Sequence, residues 1–245
     1  MSFSPLILIP VYNHPHCLDG IVEYCRHQNW TVLMVDDGSD AITKAAIESV
    51  HQKYDRVFVE TLPSNCGKGE AVIHGIRWAQ AKGFTHAMQL DADRQQNIER
   101  VGHFLALAAA DPHAFICGYP VYDDTVPASR KWGRKLTNFW VAINTLSLAF
   151  KDTMCGFRVY PVDETLASIQ DATCLGKRME FDPEMNVRLH WTGVRTINAA
   201  VEVTYPQDGI SHFKPIANWH LSKMHTRCFF GMLWRLPKLI SYHFR

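Results

Sequence analysis

The sequence THAMQLDADRQQN, residues 85–97, joins a short β-like run to two aspartates. The run at 85–90 predicts a buried strand, and Asp91 and Asp93 follow at its end. Side chains at positions i and i+2 of an extended backbone point to the same side of the chain. Both carboxylates are therefore predicted to face one ligand, although an isolated Asp-x-Asp is also typical of a surface turn. Asn97 is placed to cap the helix that follows.

The rest of the first half repeats this order of strand and helix. Strand-like runs rich in Val, Ile, Leu and Phe lie at 6–12, 31–36, 56–61, 85–90 and 114–119. Segments of helical length lie at 15–28, 40–53, 68–82 and 97–110. Near-continuous apolar strands that alternate with helices predict an α/β fold, with a mainly parallel sheet flanked by helices. Ligands of such sheets collect outside the carboxyl ends of the strands.

Past residue 120 the regular alternation stops. The segment 129–150 repeats apolar residues near a period of 3.6 and predicts a helix with Arg130 and Arg134 in its first turns. Shorter elements are predicted at 156–160, 163–170, 183–192 and 194–205. Because no internal repeat or linker interrupts the chain, residues 1–208 are expected to form one domain.

The last stretch, residues 209–245, differs from the rest in composition. It contains no Asp or Glu, and its basic residues are interleaved with Trp, Phe and Leu. Such a segment predicts a helical extension on a membrane surface, with rings at the headgroup boundary and cations near anionic lipid. The alternative is a helix packed on the domain with a solvated basic face.

Composition excludes several classes of protein. The chain has 245 residues, of which 47% are hydrophobic and 20% charged, as in folded globular proteins. A formal net charge of +1 gives no general attraction to nucleic acid. The apolar run at 6–12 follows no basic segment and predicts a strand rather than a signal peptide, and no run approaches the roughly 18 apolar residues of a membrane span. Seven scattered cysteines without a CxxC pair favour reduced thiols and a cytoplasmic location.

Polar groups also lie at the ends of the first two predicted strands. Pro-Val-Tyr-Asn at 10–13 places the ring of Tyr12 where it can pack on a nucleobase. Asp-Asp-Gly-Ser at 36–39 places two carboxylates where they can accept hydrogen bonds from a base or a ribose. The alternative is a turn in which Ser39 or Asp40 caps the next helix.

A fourth polar group opens the helix predicted at 68–82. Asn-Cys-Gly-Lys-Gly at 65–69 places backbone N–H groups and the ammonium of Lys68 at a helix N-terminus, an arrangement that binds anions. The carboxylates of Asp91 and Asp93 are hard oxygen ligands that suit Mg²⁺ or Mn²⁺ when the cation is shared with the phosphates of a substrate. The strand ends together therefore predict a site for a nucleotide.

These motifs, in this order, resemble those of the family 2 glycosyltransferases with the GT-A fold, a Rossmann-like fold. The resemblance is greatest to the branch of dolichol-phosphate mannosyltransferases and bacterial polyprenyl-phosphate glycosyltransferases. It rests on the four strand-end motifs, on DTMCGFR at 152–158 and on FDPEM at 181–185. It covers roughly residues 5–205.

The resemblance implies roles for individual residues. The donor nucleotide sugar would be bound by Pro10, Tyr12, Asn13, Asp37, Lys68 and Asp91, and the cofactor, Mg²⁺ or Mn²⁺, would be held by Asp93 and Gln95. The acceptor would be bound by Arg130, Arg134 and Arg158, although Arg130 and Arg134 also fit a solvated helix face. The catalytic set would be Asp91, Asp93, Asp182 and Glu184. The last two are candidate bases for a hydroxyl acceptor, whereas a phosphate acceptor needs none.

The implied activity is inverting transfer of a sugar from a UDP- or GDP-sugar to a lipid-linked or lipid-phosphate acceptor. The enzyme would lie on the inner face of the membrane and contact it through residues 209–245. Two departures from the family pattern leave the acceptor open: His14 stands where Glu is frequent, and 205–212 lacks a frequent Arg. The alternatives are a sugar-nucleotide nucleotidyltransferase and a non-catalytic scaffold that binds nucleotide sugar or membrane.

Overall fold

A computed structural model of the chain describes residues 2–122, 128–170, 172, 174–204 and 216–242, with side chains in these ranges except at 128–131 and 216–217. The described strands are β1 (Pro5–Val11), β2 (Thr31–Asp36), β3 (Val57–Thr61), β4 (His86–Gln89), β5 (Phe115–Tyr122), β6 (Arg158–Pro161) and β7 (Thr196–Val203). The described helices are α1 (Leu18–His27), α2 (Ala41–Lys53), α3 (Lys68–Ala81), α4 (Val101–Ala110), α5 (Ala128–Thr145), α6 (Val162–Ile169), α7 (Phe181–Thr192), α8 (Ile216–Trp234) and α9 (Leu236–Ser241).

The seven strands form one sheet in the order β3-β2-β1-β4-β6-β5-β7. β1 pairs in parallel with β2 and β4, β2 pairs in parallel with β3, and β5 pairs in parallel with β7. β6 is antiparallel to both of its neighbours. The predicted mainly parallel sheet is confirmed, and the carboxyl ends of β1, β2 and β4 meet at one edge of it.

The first strand shows why the apolar run at its centre is continuous. Leu6 and Leu8 belong to a core shared with α3 and α7, whereas Ile7 and Ile9 belong to a second core shared with α1, α2 and α4. Neighbouring side chains on a strand point to opposite faces, so a strand with helices on both sides needs an apolar residue at each position.

The long helix after residue 120 ends earlier than its hydrophobic pattern predicts. The pattern predicts a helix over 129–150, but α5 ends at Thr145. Leu146 has a φ of 51°, in the left-handed region that commonly ends a helix. Residues beyond this point leave the helix axis and lead into the loop before β6.

A third apolar cluster joins the last two helices to the sheet domain. Its buried members include Val141 of α5, Trp191 of α7, Met224 of α8 and Leu239 of α9. The described part of the predicted extension is therefore helical, as expected, and packs on the domain. The predicted boundary at 208/209 lies outside the described residues.

The outer surface of α5 and α8 carries large apolar side chains. Those exposed are Trp132, Leu136, Phe139, Trp140, Trp219, Phe230, Leu233 and Trp234, called here the aromatic face. Three of them, Leu136, Trp140 and Phe230, also border the cavity described below. Across the residues that the structure describes, no helix is both long and apolar enough to cross a bilayer.

Candidate active site

A cavity of about 1280 Å³ opens at the edge of the sheet where β1, β2 and β4 end. The predicted residues among its lining are Pro10, Tyr12, Asp37, Lys68, Asp91, Asp93, Gln95 and Arg134. The four strand-end motifs therefore meet in one place, although Pro10 of the first and Asp93 of the last are 83 residues apart in the chain.

Lys68 is the centre of the charged floor of the cavity. Its Nζ lies 2.7 Å from Oδ1 of Asp91 and 3.0 Å from Oδ2 of Asp182. The amide of Gln96 donates to the other oxygen of Asp91 over 3.0 Å. Burial alone would raise the pKa of Asp91, but the charge and hydrogen bond of Lys68 outweigh it, so the pKa lies below its usual value.

The carboxylate of Asp93 has the opposite electrostatic environment to that of Asp91. Burial, followed by the charge of Asp91, raises the pKa of Asp93 to about 6. Its Oδ1 accepts the backbone N–H of Gln95 over 3.1 Å, and no Lys, Arg or His of the described residues forms an ion pair with it. The carboxylate of Asp93 is therefore short of positive charge.

The motif at 152–158 forms the wall behind Asp91. A Cβ at Gly156 would lie under 3.0 Å from the Asp91 carboxylate, so only glycine leaves room for it. Asp152 shapes the turn, because its Oδ1 accepts the N–H groups of Met154 over 2.9 Å and Cys155 over 2.7 Å. The position of Asp91 thus depends on a loop far from it in sequence.

Asp37 connects the second and third loops. Its carboxylate is buried and accepts the N–H groups of Cys66 over 2.7 Å and Gly67 over 2.8 Å. Burial raises the pKa of Asp37 above its usual value, although both N–H groups oppose the rise. Gly67 has a φ of 105°, and a Cβ there would lie under 3.0 Å from the carbonyl oxygen of Lys177. Asp37 therefore holds the loop that presents Lys68.

Asn13 connects the first and second loops in a similar way. It has a φ of 52°, its Oδ1 accepts the N–H of Asp40 over 2.9 Å, and its own N–H donates to Oγ of Ser39 over 3.1 Å. Asp40 also caps α2 by accepting the N–H of Thr43 over 2.8 Å, which confirms the capping alternative for Asp40. The side chain of Asn13 is thus directed at the second loop.

Residues 6–166 match the family model described as glycosyl transferase family 2. The chain belongs to glycosyltransferase family 2. It is 25% identical over 199 residues to dolichyl-phosphate beta-glucosyltransferase ALG5D of Trichomonas vaginalis, covering 74% of this chain and 59% of the relative. It is 27% identical over 214 residues to polyprenol monophosphomannose synthase of Mycolicibacterium smegmatis, covering 84% of this chain and 79% of the relative. The chain thus spans less than two thirds of the length of the first of these relatives.

Solved structures of glycosyltransferases share the fold. Mannosyltransferase PcManGT of Pyrobaculum calidifontis, in complex with GDP-Man and Mn²⁺, has a TM-score of 0.60 at 14% identity, covering 98% of this chain and 74% of that one. Glucosyl-3-phosphoglycerate synthase of Mycobacterium tuberculosis, in complex with Mn²⁺, UDP-Glc and phosphoglyceric acid, has a TM-score of 0.64 at 11% identity, covering 95% and 79%. The predicted GT-A fold is confirmed.

The residues that the family resemblance assigned to the acceptor lie in different places. Arg134 lines the cavity, donates to Asp152 over 2.8 Å and lies 5.8 Å from the centre of the Tyr122 ring. The side chain of Arg130 lies outside the described residues. Arg158 has no exposed surface, so the structure offers no route from it to an acceptor.

Arg158 is a fully buried residue of the core. Its guanidinium donates to the carbonyl oxygens of Thr153, Cys155 and Asp182 over 2.7, 2.6 and 2.7 Å. These bonds join the loop behind Asp91 to the start of α7. We therefore replace the acceptor-binding role of Arg158 with a role in holding that loop.

Glu184 is also buried and fully paired. Its oxygens lie 2.7 Å from Nη2 of Arg188 and 2.6 Å from Nη2 of Arg227, and it accepts the N–H of Gly176 over 2.8 Å. Neither Glu184 nor Asp182 is among the residues that line the cavity. Because both carboxylates are bound by cationic side chains and lie outside the cavity lining, we do not carry either forward as a base.

The helical wall of the cavity was not anticipated from the motifs. It consists of Leu136, Thr137 and Trp140 from α5 and of Leu221, His225, Phe229 and Phe230 from α8. In the sequence, the signal for this wall is the aromatic composition of residues 209–245, which predicts a surface segment rather than the wall of a cavity. Glu180, just before α7, also lines the cavity, but it lies one residue outside the FDPEM motif, so the motif does not indicate it.

Proposed function

We propose that this chain transfers a sugar, with inversion, from a UDP- or GDP-sugar to a lipid-linked or lipid-phosphate acceptor. The meeting of four strand-end motifs in one cavity, around Asp91, Lys68 and Asp93, carries the proposal. The names of the relatives, a dolichyl-phosphate glucosyltransferase and a polyprenol monophosphomannose synthase, support a lipid-phosphate acceptor. Related folds in complex with UDP-Glc and GDP-Man support the class of donor.

In this proposal the donor lies along the strand ends. Pro10 and Tyr12 contact the base, and Asp37 contributes by fixing the loop above α3. Lys68, held by two carboxylates, faces the diphosphate, and the N-terminus of α3 adds partial positive charge. Asp91 has its pKa lowered and is charged at neutral pH, so it is able to accept hydrogen bonds from the ribose.

The end of β4 fits a divalent cation. The raised pKa of Asp93 shows a carboxylate with too little compensating charge, which a cation would supply. A cation that also binds substrate phosphates needs only one or two protein carboxylates, so the lack of a three-residue cluster in the described part of the chain does not count against it. Asp93 and Gln95 would hold Mg²⁺ or Mn²⁺. When bound, the ion neutralises charge on the leaving diphosphate.

A phosphate acceptor agrees with the state of the two candidate bases. Asp182 is paired with Lys68 and Glu184 with two arginines, and neither lines the cavity, so neither is placed to meet an attacking hydroxyl there. A phosphate oxygen is already an anion and attacks without a base. Arg134, on the cavity wall, and Arg130 are proposed to orient that phosphate.

The aromatic face is proposed to lie on a membrane. Trp219 and Trp234 of α8 are exposed to 59% and 87%, and Lys223 lies 4.9 Å from the ring centre of Trp219. Aromatic rings with adjacent cations suit the headgroup region of anionic lipid. The packing of α8 on the core is compatible with its proposed contact with the membrane, because the two use opposite faces of the helix.

Product analysis tests the proposal against its alternatives. The chain is incubated with UDP-Glc or GDP-Man, Mn²⁺ and a polyprenyl phosphate. We expect release of the nucleoside diphosphate and formation of a glycosylated lipid. Release of pyrophosphate would identify a nucleotidyltransferase, and donor binding without any product would favour the scaffold.

A further inference from the structure

Glu180 is a buried acidic residue on the cavity wall, immediately before α7. Its side chain is only 7% exposed, and it lines the same cavity as Asp91 and Asp93. An acidic side chain is rarely buried without a partner, because removing its charge from water is costly. Its contacts therefore indicate what it is placed to bind.

One oxygen of Glu180 is held and the other is not. Oε1 accepts the backbone N–H groups of Lys177 over 3.2 Å and Arg178 over 3.4 Å. Oε2 is buried and has no hydrogen-bond partner among the described residues. The aliphatic part of the Glu180 side chain packs closely on residue 176, because a Cβ at Gly176 would lie 2.5 Å from Cγ of Glu180. The free oxygen is thus held in place.

The neighbouring carboxylates differ from Glu180 in their partners. Asp182 and Glu184 are bound to lysine or arginine, whereas no ion pair of Glu180 occurs within the described part of the chain. Glu180 also does not complete a three-residue cation site with Asp91 and Asp93 there. A ligand with a hydrogen-bond donor satisfies Oε2, whereas a phosphate group, itself an anion, is repelled by it.

We propose that Oε2 of Glu180 accepts a hydrogen bond from a hydroxyl of the donor sugar and so helps to select that sugar. This inference rests on the proposed function. The base is assigned to Tyr12, the ribose to Asp91 and the diphosphate to Lys68, so the sugar ring is the hydroxyl-bearing part of the donor that has no assigned side chain. Specificity is strong at such a position, because a sugar that lacks the hydroxyl leaves a buried carboxylate without a partner.

Binding measurements test the inference with three variants. Affinities for UDP-Glc, GDP-Man, UDP and GDP are measured in Mn²⁺ for the unchanged chain, Glu180→Gln, Glu180→Ala and Glu70→Gln. Glu70 is the matched control, because its carboxylate lies 3.2 Å from Nζ of Lys177, in the segment that Glu180 also holds, yet it does not line the cavity. Melting temperatures show whether each variant is folded.

We expect Glu180→Ala to weaken binding of the preferred nucleotide sugar by about 10- to 100-fold, the range for a lost hydrogen bond to a charged group. Binding of the matching nucleoside diphosphate and of all ligands to Glu70→Gln should not change. Among monodeoxy analogues of the preferred sugar, one should bind the unchanged chain weakly and should lose no further affinity in Glu180→Ala.

Three results would overturn the inference. Equal losses for nucleotide sugar and nucleoside diphosphate would place Glu180 at the base or in a purely structural role. Unchanged binding in both folded Glu180 variants would remove it from the site. If the unchanged chain binds UDP or GDP but neither sugar nucleotide, the proposed function fails first, and this inference fails with it.

Discussion

Asp91 and Asp93 are two residues apart, yet their carboxylates have opposite electrostatic environments. Lys68 lowers the pKa of Asp91, whereas burial and Asp91 itself raise the pKa of Asp93 to about 6. The i, i+2 spacing predicted that both would face one ligand, and both line the cavity. The spacing does not predict the lysine, which comes from a helix 23 residues earlier in the chain.

The first prediction concerns catalysis by Asp93. Asp93→Ala should lower kcat by about 10²- to 10³-fold, the scale of losing one electrostatic stabiliser of the transition state, and should abolish the dependence of donor binding on Mn²⁺. Steady-state kinetics and calorimetry with and without EDTA measure both effects. Asp55→Asn, an exposed aspartate paired with Arg26, is the control and should behave like the unchanged chain. Full turnover of Asp93→Ala in EDTA would contradict the metal assignment.

The second prediction concerns stability and pH. Because the pKa of Asp93 is about 6 when folded and about 3.9 when unfolded, the folded chain keeps this proton longer. The protonated carboxyl of Asp93 therefore stabilises the folded chain below pH 4, and this stabilisation is lost as the pH rises through 6. Without metal at pH 7, Asp93→Asn should therefore raise the free energy of unfolding by on the order of 1 to 3 kcal/mol. Urea unfolding in EDTA at pH 7 and pH 4 measures this, and a gain of equal size at both pH values would refute it.

At the scale of elements, loops from distant parts of the chain hold one another at the edge of the sheet. Asp37 binds the loop before α3, Asn13 binds the loop after β2, and Gly156 packs against Asp91. All of these contacts lie within the protein. The geometry of the charged groups therefore depends on hydrogen bonds and packing between the loops.

The third prediction tests the loop behind Asp91. In Gly156→Ala the new methyl group would displace the Asp91 carboxylate, which Lys68 and Gln96 hold in place. We expect kcat to fall by about tenfold or more, with the unfolding free energy lowered by about 1 to 3 kcal/mol through overpacking. Gly102→Ala on α4 is the control, because its new methyl group would meet the Trp30 ring at an ordinary distance of 3.9 Å and Gly102 does not line the cavity. Activity of Gly156→Ala equal to that of Gly102→Ala would contradict the account.

The elements show which parts of the fold were predictable. Runs such as the one around Leu6 and Ile7 are apolar at every position, so they identify strands covered on both faces. The direction of β6 was not predictable, because four residues carry no signal of orientation. The pairing of Glu184 with Arg227 joins residues 43 apart, so the FDPEM motif predicted an acid but not its partners.

At the scale of the whole molecule, one helix serves both the core and the surface. α8 packs through Met224 and Cys228 against α5 and α7, and exposes Trp219, Phe230 and Trp234 on its other side. The sequence offered packing and membrane contact as alternatives. The described structure confirms the packing and leaves the aromatic side available for the membrane.

The fourth prediction tests that surface. Trp219→Ser combined with Trp234→Ser should lower partitioning onto anionic vesicles by about tenfold or more, since each buried ring contributes on the order of 2 kcal/mol. Ile42→Ser, an exposed apolar residue on α2, is the matched control and should have no effect. Vesicle co-sedimentation measures the change. If the Trp219/Trp234 double variant and Ile42→Ser bind vesicles equally well, the aromatic face is not the membrane contact.

A crystal structure with Mn²⁺ and either UDP-Glc or GDP-Man tests the central claim most directly, because the anomalous signal of manganese locates the cation. The account predicts manganese at about 2.0 to 2.3 Å from the carboxylate of Asp93 and from oxygens of the diphosphate, with the base near Tyr12. A cation bound away from Asp93, or a nucleotide outside the cavity at the ends of β1, β2 and β4, would contradict it.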